Sequence, residues 1–183
     1  MRVLCTTSSF DASFPENIEV FKNPYQRKLT EEEVVKLIQE IKPDALLAGV
    51  EPLTRKVLKN ATNLKVISRC GAGLDSVDLV AANELKIKVY NTPDAPVVPV
   101  AELTIALILS ALRKVNMLDA RMRQGEWVRF QGALLFGKTI GIIGCGRIGT
   151  YVSKIIHAFG GKVLGFDPFI SGADLFQMVD FDT

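Results

Sequence analysis

The sequence has one histidine in 183 residues, as few as its single tryptophan. A single imidazole excludes any mechanism that needs two and leaves little for histidine-rich metal sites; no metal ligand set is expected. The cysteines, Cys5, Cys70 and Cys145, are odd in number and widely separated, which excludes a disulfide scaffold. Each lies in or beside an apolar run, so they read as buried reduced thiols. An excess of charge is also missing: 22 basic against 20 acidic residues leave a net charge of +2, too slight a bias to imply nucleic acid. Long hydrophobic runs are absent. The N-terminus turns polar at Thr6, without the apolar core of a secretory signal. The longest apolar stretch, Leu103 to Leu112, is interrupted by Thr104 and Ser110 and falls far short of the roughly 20 residues of a membrane span. No membrane or nucleic-acid partner is expected, and the expected location is cytoplasmic. What remains, at 48% hydrophobic and 23% charged residues, is a globular chain with enough apolar side chains for a core.

Short apolar runs alternate with helical patterns from the first residues. Arg2 to Thr6 reads as a strand. Thr30 and Glu33 have capping-box spacing, and Val34, Val35, Leu37, Ile38 and Ile41 then mark one helical face that Pro43 ends. A strand (Ala45 to Val50), a helix (Thr54 to Asn60), a strand (Leu64 to Cys70), a helix (Val77 to Leu85) and a strand (Lys88 to Asn91) follow. This alternation predicts βαβ units and a parallel sheet, with near-continuously apolar strands buried on both faces. Pro93, Pro96 and Pro99 then predict a stiff, extended crossing, and the domain boundary is placed there. The longest helix is predicted over Ala101 to Gln124. Its first half is apolar all round, as in a helix held between two surfaces. Its second half carries Arg113, Lys114, Arg121 and Arg123, with Trp127 nearby, and reads as a solvated face whose cations oppose the negative end of the helix.

Lys138 to Gly149 is the most informative segment. Gly144, Gly146 and Gly149 form G-x-G-x-x-G, after an apolar strand and at the start of an amphipathic helix, Ile148 to Phe159. A second strand, Val163 to Phe166, leads into Asp167, 18 residues past Gly149. That context makes a short, common motif specific for a dinucleotide. Gly144 permits the tight turn, Gly146 lets the backbone approach a pyrophosphate, and Gly149 lets helix and strand pack closely. The helix N-terminus offers free amides and the positive end of a dipole to phosphates. Asp167 sits where a carboxylate accepts from the adenosine ribose hydroxyls and repels a 2′-phosphate, which favours NAD over NADP. The competing reading has the glycines serve packing alone and Asp167 cap a turn.

A second glycine turn, Gly71-Ala72-Gly73, follows the strand Leu64 to Cys70. It lacks a third glycine, yet exposes consecutive amides at the carboxyl end of a strand, a place for a small carboxylate. An ordinary tight turn capped by Asp75 or Ser76 is equally consistent. His157 lies within the helix after the fingerprint and reads as structural, so no residue is assigned as the proton-transfer base.

Taken in order, Gly49-Val50-Glu51-Pro52-Leu53-Thr54, Ser68 to Asp78, Asn91-Thr92-Pro93, Val100-Ala101-Glu102, Gly125-Glu126-Trp127, Gly144 to Gly149 and Phe166-Asp167-Pro168 resemble the D-isomer-specific 2-hydroxyacid dehydrogenases, in particular the phosphoglycerate dehydrogenase branch. The resemblance implies an α/β fold: an N-terminal flavodoxin-like parallel βα domain for substrate, residues 1–95, then the first half of a Rossmann NAD-binding domain, residues 96–183. It implies that Gly71, Ala72 and Gly73 meet the substrate carboxylate or the nicotinamide. Arg147 and Ile148 would bind the pyrophosphate through their amides, and Asp167 the ribose. It also implies oxidation of a D-2-hydroxy acid, or the reverse, by a homodimer joined through the helix after Ala101. The family's catalytic Arg, Glu and His have no counterparts up to Thr183. The chain is therefore expected to be the first half of an enzyme, inactive by itself. The alternative is a non-catalytic NAD-binding module of the kind the C-terminal binding protein corepressors represent.

Overall fold

The computed structural model describes residues 1–7, 13–172 and 174–182. The chain divides into two compact units, Met1–Ala95 and Pro96–Thr183. In the first, strands β1 (Arg2–Cys5), β2 (Glu19–Lys22), β3 (Ala45–Ala48), β4 (Val66–Arg69) and β5 (Lys88–Asn91) form one sheet in the order β2-β1-β3-β4-β5. All its pairs are parallel. Helices α1 (Glu31–Ile41), α2 (Arg55–Asn60) and α3 (Leu79–Glu84) connect β2 to β3, β3 to β4 and β4 to β5.

Each of these helices starts on a side-chain cap. The predicted capping box forms at α1: Glu33 N donates to Thr30 Oγ1 at 3.3 Å and Thr30 N to Glu33 Oε2 at 2.9 Å. Thr54 caps α2 and Asp78 caps α3. The three crossovers all move the chain in one direction across the sheet, and a right-handed crossover then sets each helix on the same face. Leu4, Leu46 and Ile67, in register across β1, β3 and β4, pack there against Val34, Ile38, Val57, Leu58 and Ala81.

The opposite face departs from the expectation of strands buried on both sides. Only the β1–β2 connection moves the other way, and it carries no helix among the described residues. Val3 and Cys5 are buried there, but Leu47 and Val66 are half-buried, and Tyr90 is 57% exposed.

The second unit contains α4 (Val97–Arg113), α5 (Val115–Arg123), β6 (Thr139–Ile143), α6 (Arg147–Ala158), β7 (Lys162–Phe166) and β8 (Gln177–Met178). Its parallel sheet runs β6-β7-β8, which leaves β6 at an edge. Two sequence expectations are corrected here. The helix begins at Val97, not Ala101, because Pro99 falls in the first turn, where a missing N–H costs nothing. It is two helices, not one, broken at Lys114, whose φ of +57° is left-handed. Within this chain one side of its apolar half is covered: Ala101 and Ile105 pack with Val152, Ile156 and Val163, while Leu103 and Leu107 are each 59% exposed. No described helix is long and apolar enough to cross a membrane.

Candidate active site

In the second unit, β6 ends at Ile143 and the chain turns through Gly144-Cys145-Gly146 into α6. The three fingerprint glycines are glycine for different physical reasons. Gly144 has φ +97°, which disfavours any side chain. At Gly149 an added Cβ would overlap the carbonyl oxygen of Gly144, so the helix lies directly against the turn. Gly146 is the N-cap of α6, has ordinary extended backbone, and a Cβ there would meet nothing within 4 Å. Nothing among the described residues requires glycine at 146. No side-chain hydrogen bond caps α6, and a Cβ at Gly146 would enter open space at its N-terminus. Such a cradle fits an anion approached closely by backbone.

Asp167 lies at the carboxyl end of β7. Its Oδ2 accepts from Cys145 N at 2.9 Å, and Oδ1 from Phe169 N at 2.9 Å and Ile170 N at 3.1 Å. The amides of Phe169, then Cys145, hold its carboxyl below the usual carboxylate range. The carboxylate therefore joins the glycine turn to the loop after β7, and it also caps that loop. The two readings left by the sequence, turn cap or site residue, are thus compatible in one side chain.

His157 is exposed on α6, and its Nε2 donates to Leu175 O at 2.9 Å. Ser153 Oγ donates to the same oxygen at 2.6 Å. Together they hold the β7–β8 loop to α6.

In the first unit, the second glycine turn follows β4. Gly71 has φ +139°, and a Cβ on it would overlap the guanidinium of Arg69. Gly71 N donates to Thr92 Oγ1 at 2.8 Å, Thr92 N returns to Gly71 O at 3.0 Å, and Asn91 Nδ2 donates to Ala72 O at 2.6 Å. The turn is thereby pinned to the end of β5. Of the three amides marked in the sequence, that of Gly71 is engaged; those of Ala72 and Gly73 meet no acceptor among the described residues.

Two polar groups beside this turn were missed by sequence reasoning. The Arg69 guanidinium lies across Gly71, donates to Cys70 O at 2.9 Å, and keeps its buried Nε without a partner. Glu51, only 1% exposed, accepts from the Thr6 hydroxyl and from Gly49 N at 2.9 Å. Both stand in motifs quoted for the family resemblance, but an Arg before a glycine turn and a Glu before a Pro carry no sequence signal for burial. Cys5 and Cys145 are buried and Cys70 half-buried, all are free, and burial pushes each thiol up, away from reactivity. Among the described residues no cluster of three His, Cys, Asp or Glu side chains is placed to hold a metal.

Residues 6–178 match the catalytic domain of the D-isomer specific 2-hydroxyacid dehydrogenases. The chain belongs to this family. It is 44% identical over 144 residues to D-3-phosphoglycerate dehydrogenase of Methanocaldococcus jannaschii, covering 78% of this chain and 27% of that protein. Its structure is similar to the TT0316 protein of Thermus thermophilus, with a TM-score of 0.82, 31% identity, and coverage of 98% of this chain and 60% of that one. It is also similar to NAD+-bound 3-phosphoglycerate dehydrogenase of Entamoeba histolytica, with a TM-score of 0.71, 27% identity, and coverage of 98% and 57%. Against two curated relatives the chain spans 27% and 51% of their length. The family resemblance and the α/β parallel architecture expected from the sequence are both borne out.

Proposed function

We propose that this chain is the N-terminal part of an NAD-dependent dehydrogenase of D-2-hydroxy acids, close to the phosphoglycerate dehydrogenases. In this reading the first unit is the flavodoxin-like substrate part, and its strand order β2-β1-β3-β4-β5 is that of one common doubly wound arrangement. The second unit is the first half of a Rossmann domain. Gly144, Gly146, Arg147, Ile148 and Gly149 hold the pyrophosphate, and Asp167 the adenosine ribose. Ala72 and Gly73, with their free amides, take the substrate carboxylate beside Gly71, and Arg69 supplies positive charge to that anion. Bound NAD would supply the acceptor for the hydride leaving the 2-carbon of the hydroxy acid. The chain's own residues bind and orient the two reactants. Its single histidine is committed to Leu175 O on the flank of α6, so the hydroxyl proton has no imidazole partner here, and the chain by itself gives no turnover. The exposed Leu103 and Leu107 of α4 support association as a homodimer through that helix.

The observation that carries this reading is the asymmetry among the fingerprint glycines. The fold accounts for Gly144 and Gly149 and not for Gly146, whose missing side chain makes room for something outside the chain. Titration calorimetry with NAD and with 5′-AMP tests it. The full chain is expected to bind both and Gly146→Val neither, with an unchanged far-UV spectrum. Equal binding by the two proteins, or none by the wild type, would refute the cofactor assignment.

A further inference from the structure

The strand next to Asp167 brings up a second carboxylate that the proposed reaction leaves unused. Leu164 and Gly165 of β7 pair with Gln177 and Met178 of β8, and Val179 N donates to Gly165 O at 3.0 Å, so the ladder continues past the last paired residues. Beyond the Gly165–Met178 pair the strands end, and Asp167 and Asp180 each follow two residues after it, one past the end of β7 and two past the end of β8. Their neighbours bind these two stretches together: the rings of Phe166 and Phe181 meet edge to face with centroids 5.2 Å apart. Asp167 and Asp180 both line one cavity of about 510 Å³, with Ser171, Ile170 and Met178. Among the described residues no Lys, Arg or His lines it.

Both carboxylates border this cavity, and none of its lining residues carries a positive charge to offset them. Asp167 is occupied by three backbone amides. Asp180 is exposed and makes no hydrogen bond or ion pair among the described residues. A cavity with one satisfied carboxylate, one free carboxylate and no cation accepts hydroxyl donors and resists further anions.

We propose that Asp180 is a specificity-determining residue of the nucleotide site, excluding a 2′-phosphate from the ribose held at Asp167 and so selecting NAD over NADP. The inference rests on the dinucleotide reading of the Gly144–Gly149 turn. A phosphate monoester carries about −1.5 to −2 charge near pH 7 and would enter between two carboxylates with no cation to receive it.

Titration calorimetry of the full chain with 5′-AMP and 2′,5′-ADP tests this without requiring turnover. The wild type is expected to prefer 5′-AMP about tenfold, a preference that narrows between ~50 and ~500 mM salt as the repulsion is screened. Asp180→Asn is expected to reduce the preference about threefold, and Asp180→Lys to abolish it, since one group changes from repelling to attracting the phosphate. A preference unmoved in both variants overturns the role of Asp180 and leaves the nucleotide site standing, as does a wild type that binds both nucleotides equally. A wild type that binds neither overturns the nucleotide reading itself, and the inference with it.

Discussion

Asp167 reaches across 22 residues of sequence to accept the amide of Cys145 through Oδ2 at 2.9 Å, so the glycine turn and the end of β7 are one piece of structure. A change at Asp167 therefore acts on the fold and on the site together. Asp167→Ala is expected to weaken 5′-AMP binding and to lower the melting midpoint, because three amides lose their acceptor. Asp167→Asn, with one carbonyl oxygen kept, is expected to melt between the two. Thermal melts run beside the calorimetry separate these effects; an unchanged midpoint in Asp167→Ala would show that the bond to Cys145 carries no stability.

Gly146→Ala and Gly149→Ala are expected to fail in opposite ways. A methyl at 149 runs into the Gly144 carbonyl and forces α6 off the turn, at about 1–3 kcal/mol or more. A methyl at 146 meets no described atom within 4 Å, so the melting midpoint is expected to stay near wild type while nucleotide affinity falls. Melting and binding measured on the same preparations decide the matter, and a stable, binding-competent Gly149→Ala protein would contradict the packing described.

The N-terminus of α1 sets an acid limit on the first unit. The Arg27 guanidinium, at 2.7 Å, and the Thr30 amide hold the Glu33 carboxyl down to about 2, against an ordinary value of 4.5. A folded-state value below the unfolded one means that this contribution is complete above pH 4.5 and is lost as pH falls toward about 2. The difference in melting midpoint between wild type and Glu33→Gln is therefore expected to be constant from pH 7 to roughly pH 5 and to shrink below that. A difference that persists undiminished at pH 2 would rule out the carboxylate as its source.

Glu51 is the most deeply buried carboxylate in the described chain. Glu51→Ala leaves the Gly49 amide without its acceptor and the Thr6 hydroxyl with Leu47 O alone, and is expected to cost about 1–3 kcal/mol on denaturant unfolding. Glu51→Gln, keeping one oxygen, is expected to cost less. Equal loss in the two variants would mean that packing volume contributes nothing and that both carboxylate oxygens are needed, since Gln keeps the volume and only one of them.

Local signals made much of this legible in sequence. The Thr30–Glu33 box, the alternation of apolar runs and helical faces, and the glycine turn before α6 each act within about a dozen residues, and each forms as read. The features that escaped depend on distant partners or carry no residue signature. β2 is four residues bounded by Glu19 and Lys22, and is a strand because β1 lies beside it. The break at Lys114 has neither glycine nor proline to announce it. Pro99 looked like a helix breaker and is a first-turn residue. The place of Arg69 over Gly71, and the amides that converge on Asp167, follow from which loops meet at the end of a sheet, which no single stretch of sequence encodes.

β6 is an edge strand whose sequence, Thr139-Ile140-Gly141-Ile142-Ile143, contains no charge and no proline, and Ile143 is 75% exposed. Among the described residues, one side of its backbone has no neighbouring strand. Such an edge is a template for any other extended chain, including another copy of itself. The strand that delivers the glycine turn thus also carries that edge, and Ile143→Lys is expected to lower any concentration-dependent association of this chain, read by light scattering.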